Sequence, residues 1–381
     1  MPIQSKLPQV GTTIFSVMSR KATEHGAINL SQGFPDFDAP QRLQELLTEA
    51  MQQGHNQYPP SHGIAPLREA IADKVADLYG CMVDPEHEVT VTSGATEALF
   101  NAIAAVVHPG DEVIMFDPAY DSYDPAVTLA GGHSIHLPLT QPGFTVDWQQ
   151  LRQKITPRTR LIILNSPHNP SGAVFSAQDL DCLSEIVADN DVLLLSDEVY
   201  EHIAFDPEGH QSLLSRPALA ERAFVVSSFG KTYHCTGWKL GYCVAPAALT
   251  AEFRKVHQYV TFTSMTPAQH ALARFMREVP EHHLELPDFY RAKRDRFQRH
   301  LKAAGFAFQP TPGTYFQVAD YRQHADVDDV EFVEMLLRAG IAAIPISVFY
   351  EHKPVDQRLV RFCFAKTDET LDQAGELLCR L

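Results

Sequence analysis

Six short apolar runs, separated by helical patterns, constrain this chain more than any other feature. They predict strands over 88–92, 112–116, 161–164, 192–195, 223–226 and 240–245. Between them, 95–107 carries a continuous apolar stripe, and Ser176-Ala177-Gln178-Asp179 resembles a capping box opening a helix that runs to about 190. Strands that alternate with helices in this way read as an α/β layer structure with a mostly parallel sheet. From about residue 280 the pattern changes. A long charged helix is expected over 284–304, its Arg291, Lys293, Arg294, Asp295, Arg296 and Arg299 forming a solvated face. Strand-like segments at 314–318, 341–346 and 359–364 follow, with a helix over 328–338 and a last one N-capped by Thr367, where Asp368 and Glu369 favour the first turn. This second unit reads as a smaller α+β domain. The N-terminal arm through Asp38 has too little periodicity to stand alone and is expected to pack on it. The expected division is therefore 41–281 for the large domain, and 1–40 with 282–381 for the small one.

Composition narrows the function. With 381 residues and 45% hydrophobic content the chain can bury a full core. Its formal charge of −16 opposes a nucleic-acid or anionic-membrane surface, because phosphate polyanions would be repelled. No apolar run approaches the roughly 20 residues that span a bilayer, and no charged-then-apolar signal pattern opens the sequence. The six cysteines are scattered without a C-x-x-C pair, so a reduced, cytoplasmic protein is expected. Eighteen histidines form no H-E-x-x-H pattern, and His282-His283 are adjacent, so no metal site is expected. Nucleotide-binding glycine loops and the G-x-S-x-G elbow are missing too.

The chemistry sits at the strand ends, where open α/β sheets bind ligands. The strand at 88–92 exits into Ser93-Gly94-Ala95-Thr96 and a helix, whose free N–H groups would suit an anion. The next exits into Asp117-Pro118-Ala119-Tyr120, where a flat ring can stack on a heteroaromatic group or simply pack. Asn165-Ser166-Pro167-His168-Asn169-Pro170-Ser171-Gly172 follows the third, with Asn169 either a ligand or a turn former. Asp197 follows a wholly apolar strand and must be paired if buried, with Tyr200 three residues on. The fifth exit, Ser227-Ser228-Phe229-Gly230-Lys231, holds a lysine able to form a Schiff base with a carbonyl cofactor, and Ser228 would suit a phosphate. Taken alone, Lys231 would be an ordinary loop lysine. Polar clusters at five strand ends outweigh that reading.

These motifs, above all S-F-G-K-T-Y…T-G-W-K-L-G-Y and N-x-P-H-N-P-S-G, resemble those of the fold-type I pyridoxal-phosphate enzymes. Within these the chain is similar to the class I aminotransferases, in particular the bacterial methionine aminotransferase and kynurenine–glutamine transaminase subgroup. The resemblance runs from Asn29-Leu30-Ser31-Gln32-Gly33-Phe34-Pro35 to Arg361-Phe362-Cys363-Phe364. It implies a seven-stranded, mostly parallel sheet and pyridoxal 5'-phosphate, held as pyridoxamine phosphate during turnover. It further implies that Lys231 bonds the cofactor and carries the proton, and that Asp197 pairs with the ring nitrogen. Asn169 and Tyr200 would bind the ring 3-oxygen, and Tyr120 would stack on the ring. Gly94, Ala95, Thr96, Ser228 and Lys239 would hold the phosphate. Lysine at 239 replaces the arginine of many members and loses its bidentate fork. Arg361 would take the substrate α-carboxylate, with Gly33 and Asn169 nearby. Ile14, Phe15, Tyr58 and Phe262 correspond to apolar or aromatic pocket positions, implying a large uncharged side chain: methionine, an aromatic residue, histidine, glutamine or kynurenine. Tyr58 is further expected to reach the phosphate in a neighbouring subunit, making a homodimer part of the site. The expected reaction is ping-pong transamination with a 2-oxo acid. Carbon–sulfur β-lysis of cysteine conjugates is an alternative on the same site. A cofactor-binding transcription regulator would need a DNA-binding extension and a basic surface; the acidic charge opposes the second and no such extension is expected.

Overall fold

The computed structural model describes residues 3–381, and its apolar runs pair into one seven-stranded sheet. The strands are Val89–Thr92, Glu112–Asp117, His133–Pro138, Thr159–Asn165, Leu193–Asp197, Ala223–Ser228 and Gly241–Val244. Named by first residue, their order across the sheet is 89, 241, 223, 193, 159, 112, 133, and only the strand at 241 runs against its neighbours. Helices cover both faces, so several strands are buried along their whole length, and Glu112–Asp117, Ala223–Ser228 and Gly241–Val244 carry no polar alternation. Leu43, Leu67, Ile71, Leu180, Leu183 and Leu272 pack on one face. Ala98, Leu99, Ile103, Val127 and Phe253 pack on the other. The edge strand His133–Pro138 was not among the expected segments. It is largely half-buried, and its two histidines and serine interrupt any apolar run.

Because the parallel strands share one direction, Thr92, Asp117, Asn165, Asp197 and Ser228 all end on the same edge of the sheet. A third apolar cluster faces that edge. It joins Met18, Ala22 and Leu30 to Tyr290, Phe297, Phe316, Phe332, Phe362 and Leu371. Its three-stranded antiparallel sheet has the order Ile344–Pro345, Leu359–Cys363, Phe316–Asp320. The single strand expected over 341–346 is instead broken. Ile341–Ala342 pairs in parallel with Ile28–Asn29 of the N-terminal arm, while Ile344–Pro345 pairs with Val360 and Arg361.

The structure adds to one further expectation and corrects another. The arm contains a full helix, Ile14–His25, opened by the Thr13 side chain, which accepts from Ser16 N, and closed by Gly26 in the left-handed region. Only Met18 and Ala22 are buried on it, so its apolar stripe is too thin to register as a periodic signal. The long helix, His282–Ala303, does not present a uniformly solvated charged face. Lys293 is buried over the rings of Phe37 and Phe289, and the Arg294 guanidinium lies 4.6 Å from the Phe205 ring centre. Long aliphatic stems let both side chains pack inward while the charge finds a partner, Asp368 for Lys293. The two expected caps form: Ser176 and Asp179 make a reciprocal capping box, and Thr367 accepts from Thr370 N. Among the described residues no helix is long and apolar enough to cross a membrane.

Candidate active site

A cavity of about 500 Å³ opens where the strand ends meet the second unit. Its floor is an anion cradle. Helix Ala95–Val106 begins after Gly94, whose φ of 82° turns the chain sharply and leaves the first helical N–H groups free. A Cβ on Gly94 would stand 3.3 Å from Lys239 Nζ, which places that ammonium beside the helix start. A Cβ on Gly241 would come within 2.9 Å of Ala95 N and 2.7 Å of Ser227 O, so only glycine lets the strand lie so close to the cradle. Ser228 ends its strand and precedes the short helix Phe229–Thr232, which presents Lys231 to the same cavity. Backbone N–H groups, a hydroxyl and an ammonium suit a phosphate.

Beside the cradle, the buried Asp197 accepts a 2.6 Å hydrogen bond from Tyr123 Oη. Burial pushes its pKa up to about 6, against the hydrogen bond from Tyr123. A cationic N–H would offset that penalty. Asn165 Nδ2 donates to the Asp197 carbonyl at 2.8 Å, and Asn165 Oδ1 accepts from Asn169 N at 2.8 Å, locking the two loops together. Tyr120, Asn169 and Tyr200 complete this wall. An acid at one end, phosphate donors at the other and a flat ring between them match pyridoxal phosphate, and nothing in this residue set opposes it.

Lys231 Nζ donates to Gly33 O at 3.0 Å and to Tyr315 Oη at 2.9 Å. Burial lowers its pKa to about 8, and the positive charges of Lys239 and Arg361 act in the same direction. Across the cavity Arg361 is fully buried. Its two terminal nitrogens donate to Asn169 Oδ1 at 2.7 Å and to Ser31 O at 2.6 Å, and its Nε has no partner among the described residues. The guanidinium lies 3.9 Å from the Phe316 ring centre. Burial pushes even this group down to about 10. Its hydrogen-bond partners are neutral oxygens, so it has no ion-pair partner within hydrogen-bond reach, and the Asp121 carboxylate on the same wall acts on its charge only through space.

The cavity thus gathers Phe15, Gly33, Gly94, Ala95, Thr96, Tyr120, Asn169, Asp197, Tyr200, Ser228, Lys231, Lys239 and Arg361. Ile14 lies instead on an adjoining cleft. Tyr58 and Phe262 are not part of the cavity wall. They stand edge to face, 5.4 Å apart, on the surface, with Tyr58 82% exposed. Tyr123, Tyr315 and Ser31 were not singled out from the sequence, and Asn165 only as part of a strand exit. Tyr123 and Tyr315 carry no local signal that separates them from core aromatics.

A family model for aminotransferase class I and II matches residues 25–378. Methionine aminotransferase from Escherichia coli is 55% identical over 379 residues, covering 99% of this chain and 98% of the relative. Kynurenine–oxoglutarate transaminase 3 from Mus musculus is 35% identical over 402 residues, covering 98% and 88%. The solved structure of Escherichia coli YbdL, for which a methionine aminotransferase function is identified, superposes with a TM-score of 0.97 at 54% identity over the whole of both chains.

Proposed function

This chain belongs to the class I and II aminotransferases, pyridoxal-phosphate enzymes that pass an amino group between small molecules, and we propose that its donor is an amino acid with a large uncharged side chain, methionine first. The observation that carries this reading is Arg361, a buried guanidinium with no carboxylate partner among the described residues, facing the same cavity as Lys231. It is the sole arginine among the described residues of the cavity wall, so one carboxylate is catered for and a second is not. Asp121 on the same wall opposes an acidic side chain, while Phe15 and Phe316 offer apolar surface. Methionine comes first because the relative named for that substrate matches over almost its entire length. Lysis of cysteine conjugates draws no support from the relatives, which are named for transamination.

When bound, pyridoxal phosphate supplies an aldehyde that captures the amine and a ring that draws electron density from Cα. The residues around it divide the remaining work. Arg361 forks onto the α-carboxylate and fixes the Cα–H bond in space. Lys231 Nζ, steered by Gly33 O and Tyr315 Oη, takes the proton from Cα. Asp197 would keep a proton on the ring nitrogen, and Asn169 and Tyr200 would hold the ring oxygen. Gly94, Ala95, Thr96, Ser228 and Lys239 would hold the phosphate, with Tyr120 available to stack on the ring. The exposed Tyr58 and Phe262, with Tyr259 and Met265 also exposed nearby in the chain, support a homodimer in which Tyr58 reaches the partner's phosphate. A division at residues 41–281, against 1–40 with 282–381, draws support from the apolar clusters, of which the second takes Tyr200, Ile203 and Phe205 across that line.

A donor panel with Arg361 variants tests the reading. Methionine and aromatic donors should outperform glutamate and aspartate. Arg361→Lys keeps the charge but loses the fork, so KM should rise and kcat fall together. Arg361→Ala should cost about 2–5 kcal/mol of kcat/KM, equally for every donor, because all share the α-carboxylate. The weak reaction of a simple amine lacking that carboxylate should barely change. A defect confined to one donor would reassign Arg361 to the side chain.

A further inference from the structure

His257, on helix Ala247–Val260, is fully buried and outside the cavity, yet both its ring nitrogens are engaged. Nδ1 lies 2.6 Å from Glu97 Oε1, and Nε2 lies 2.7 Å from the carbonyl oxygen of Ser61. Glu97 also accepts from Ser93 N at 2.5 Å and from Asn101 Nδ2 at 2.8 Å. The hydrogen bonds from His257, Ser93 and Asn101 hold the Glu97 carboxyl below its usual range against the cost of burial. A carbonyl oxygen only accepts, so Nε2 donates to Ser61 O, and the ring bridges Ser61 to Glu97.

What stands at the two ends of this strut gives it meaning. Glu97 occupies the first turn of the helix whose start forms the anion cradle, and its bond to Ser93 N grips the residue before Gly94. Ser61 lies three residues after Tyr58, in a segment otherwise fastened by Thr266 Oγ1 on Gln57 O at 2.6 Å and by Thr263 Oγ1 on Pro60 O. A histidine that only satisfied these buried polar atoms would make the same two bonds; what the placement adds is that one end is the cradle helix and the other the Tyr58 segment. We infer that His257 is a positioning residue serving two sites at once: it steadies the phosphate cradle of its own subunit and the Tyr58 segment that completes the partner's. This inference rests on the shared-site reading above.

Hybrid dimers separate the two arms. One chain carries Lys231→Ala, so only the other chain's site can bond the cofactor to lysine, and the absorbance of that bond reports a single site. Release of cofactor from that site on dilution is the readout, with no turnover required. His257→Gln on the lysine-bearing chain disturbs the cradle in cis. His257→Gln on the Lys231→Ala chain also loosens that chain's own cradle, but it reaches the reporting site only through the Tyr58 segment, in trans. Both hybrids should release cofactor about tenfold faster or more, the scale expected for loss of a charge-assisted hydrogen bond. Glu97→Gln, which cuts only the cradle arm, should act in cis alone and gives a second route should His257→Gln fold poorly. A trans effect no larger than the unmutated control overturns the inference. Tyr58→Phe on the Lys231→Ala chain is the separate check: if it leaves release unchanged, the shared-site reading has failed instead.

Discussion

At the scale of single residues, the decisive quantity is how far burial shifts each charge. Lys231 must be neutral to attack an aldehyde, and an ordinary lysine is almost wholly protonated at neutral pH. Burial brings it to about 8, helped by Lys239 and Arg361 and opposed by Asp197. The sign is testable in the cofactor-free protein. Below about 8 the neutral fraction, and with it the rate of covalent capture of pyridoxal phosphate, should rise roughly tenfold per pH unit. Above that it should level off. Stopped-flow absorbance over a pH series reads the curve once the cofactor's own ionisation is allowed for. A rate that keeps climbing to pH 10 would mean that the amine is solvated and the cavity does not desolvate it. Arg361 shows the opposite side of the same physics. Burial weakens its hold on the proton but leaves it a cation hydrogen-bonded to neutral oxygens, so under the proposed function a substrate carboxylate would supply its ion-pair partner.

Elements set where those residues stand, and the tightest constraint is the approach of strand Gly241–Val244 to the cradle. Gly241→Ala would drive a methyl against Ala95 N and Ser227 O, both backbone atoms that cannot rotate away. We expect weakened cofactor binding together with a loss of about 1–3 kcal/mol of stability, the usual scale of overpacking. Equilibrium titration of the cofactor-free variant checks it, and affinity equal to that of the unmutated chain would show that the strand can retreat. The central strands were legible because both their faces are covered, which forces an unbroken apolar run. The edge strand His133–Pro138 was not, since one side of it meets solvent and its histidines hide the period. The arm helix Ile14–His25 escaped for a similar reason, with only two buried side chains in twelve residues. The cradle and Lys231 could be read because small and polar residues follow each strand. Tyr123 and Tyr315 act through geometry that no local pattern encodes. Lys293 and Arg294 misled because charge alone does not say which way a long stem packs.

For the whole molecule, the site is a store of unfavourable burial that the bound cofactor is built to relieve. Asp197 shows it best. Its folded pKa of about 6 lies above the ordinary 3.8, so between those values the folded, cofactor-free chain binds more protons than the unfolded chain. Stability should therefore fall as pH rises from about 4 to 6, and the penalty is complete above that window. A rise of that size corresponds to about 3 kcal/mol at most. Asp197→Asn removes the charge but keeps an oxygen for Tyr123 Oη, so it should stabilise the cofactor-free protein at pH 7 by up to that amount and lose its advantage near pH 4. Saturation with pyridoxal phosphate should reverse the order. Under the proposed role a ring cation would pair with Asp197 in the unmutated protein and find no charge in the variant, and a ligand that binds only the folded state adds more stability the tighter it binds. Denaturant midpoints with and without cofactor at the two pH values give four numbers that fix the signs. A cofactor-free variant less stable than the unmutated chain at pH 7 would mean that Tyr123 and the Val199 N–H already compensate the carboxylate in full. The folded chain would then hold no electrostatic strain at the position proposed for the ring nitrogen.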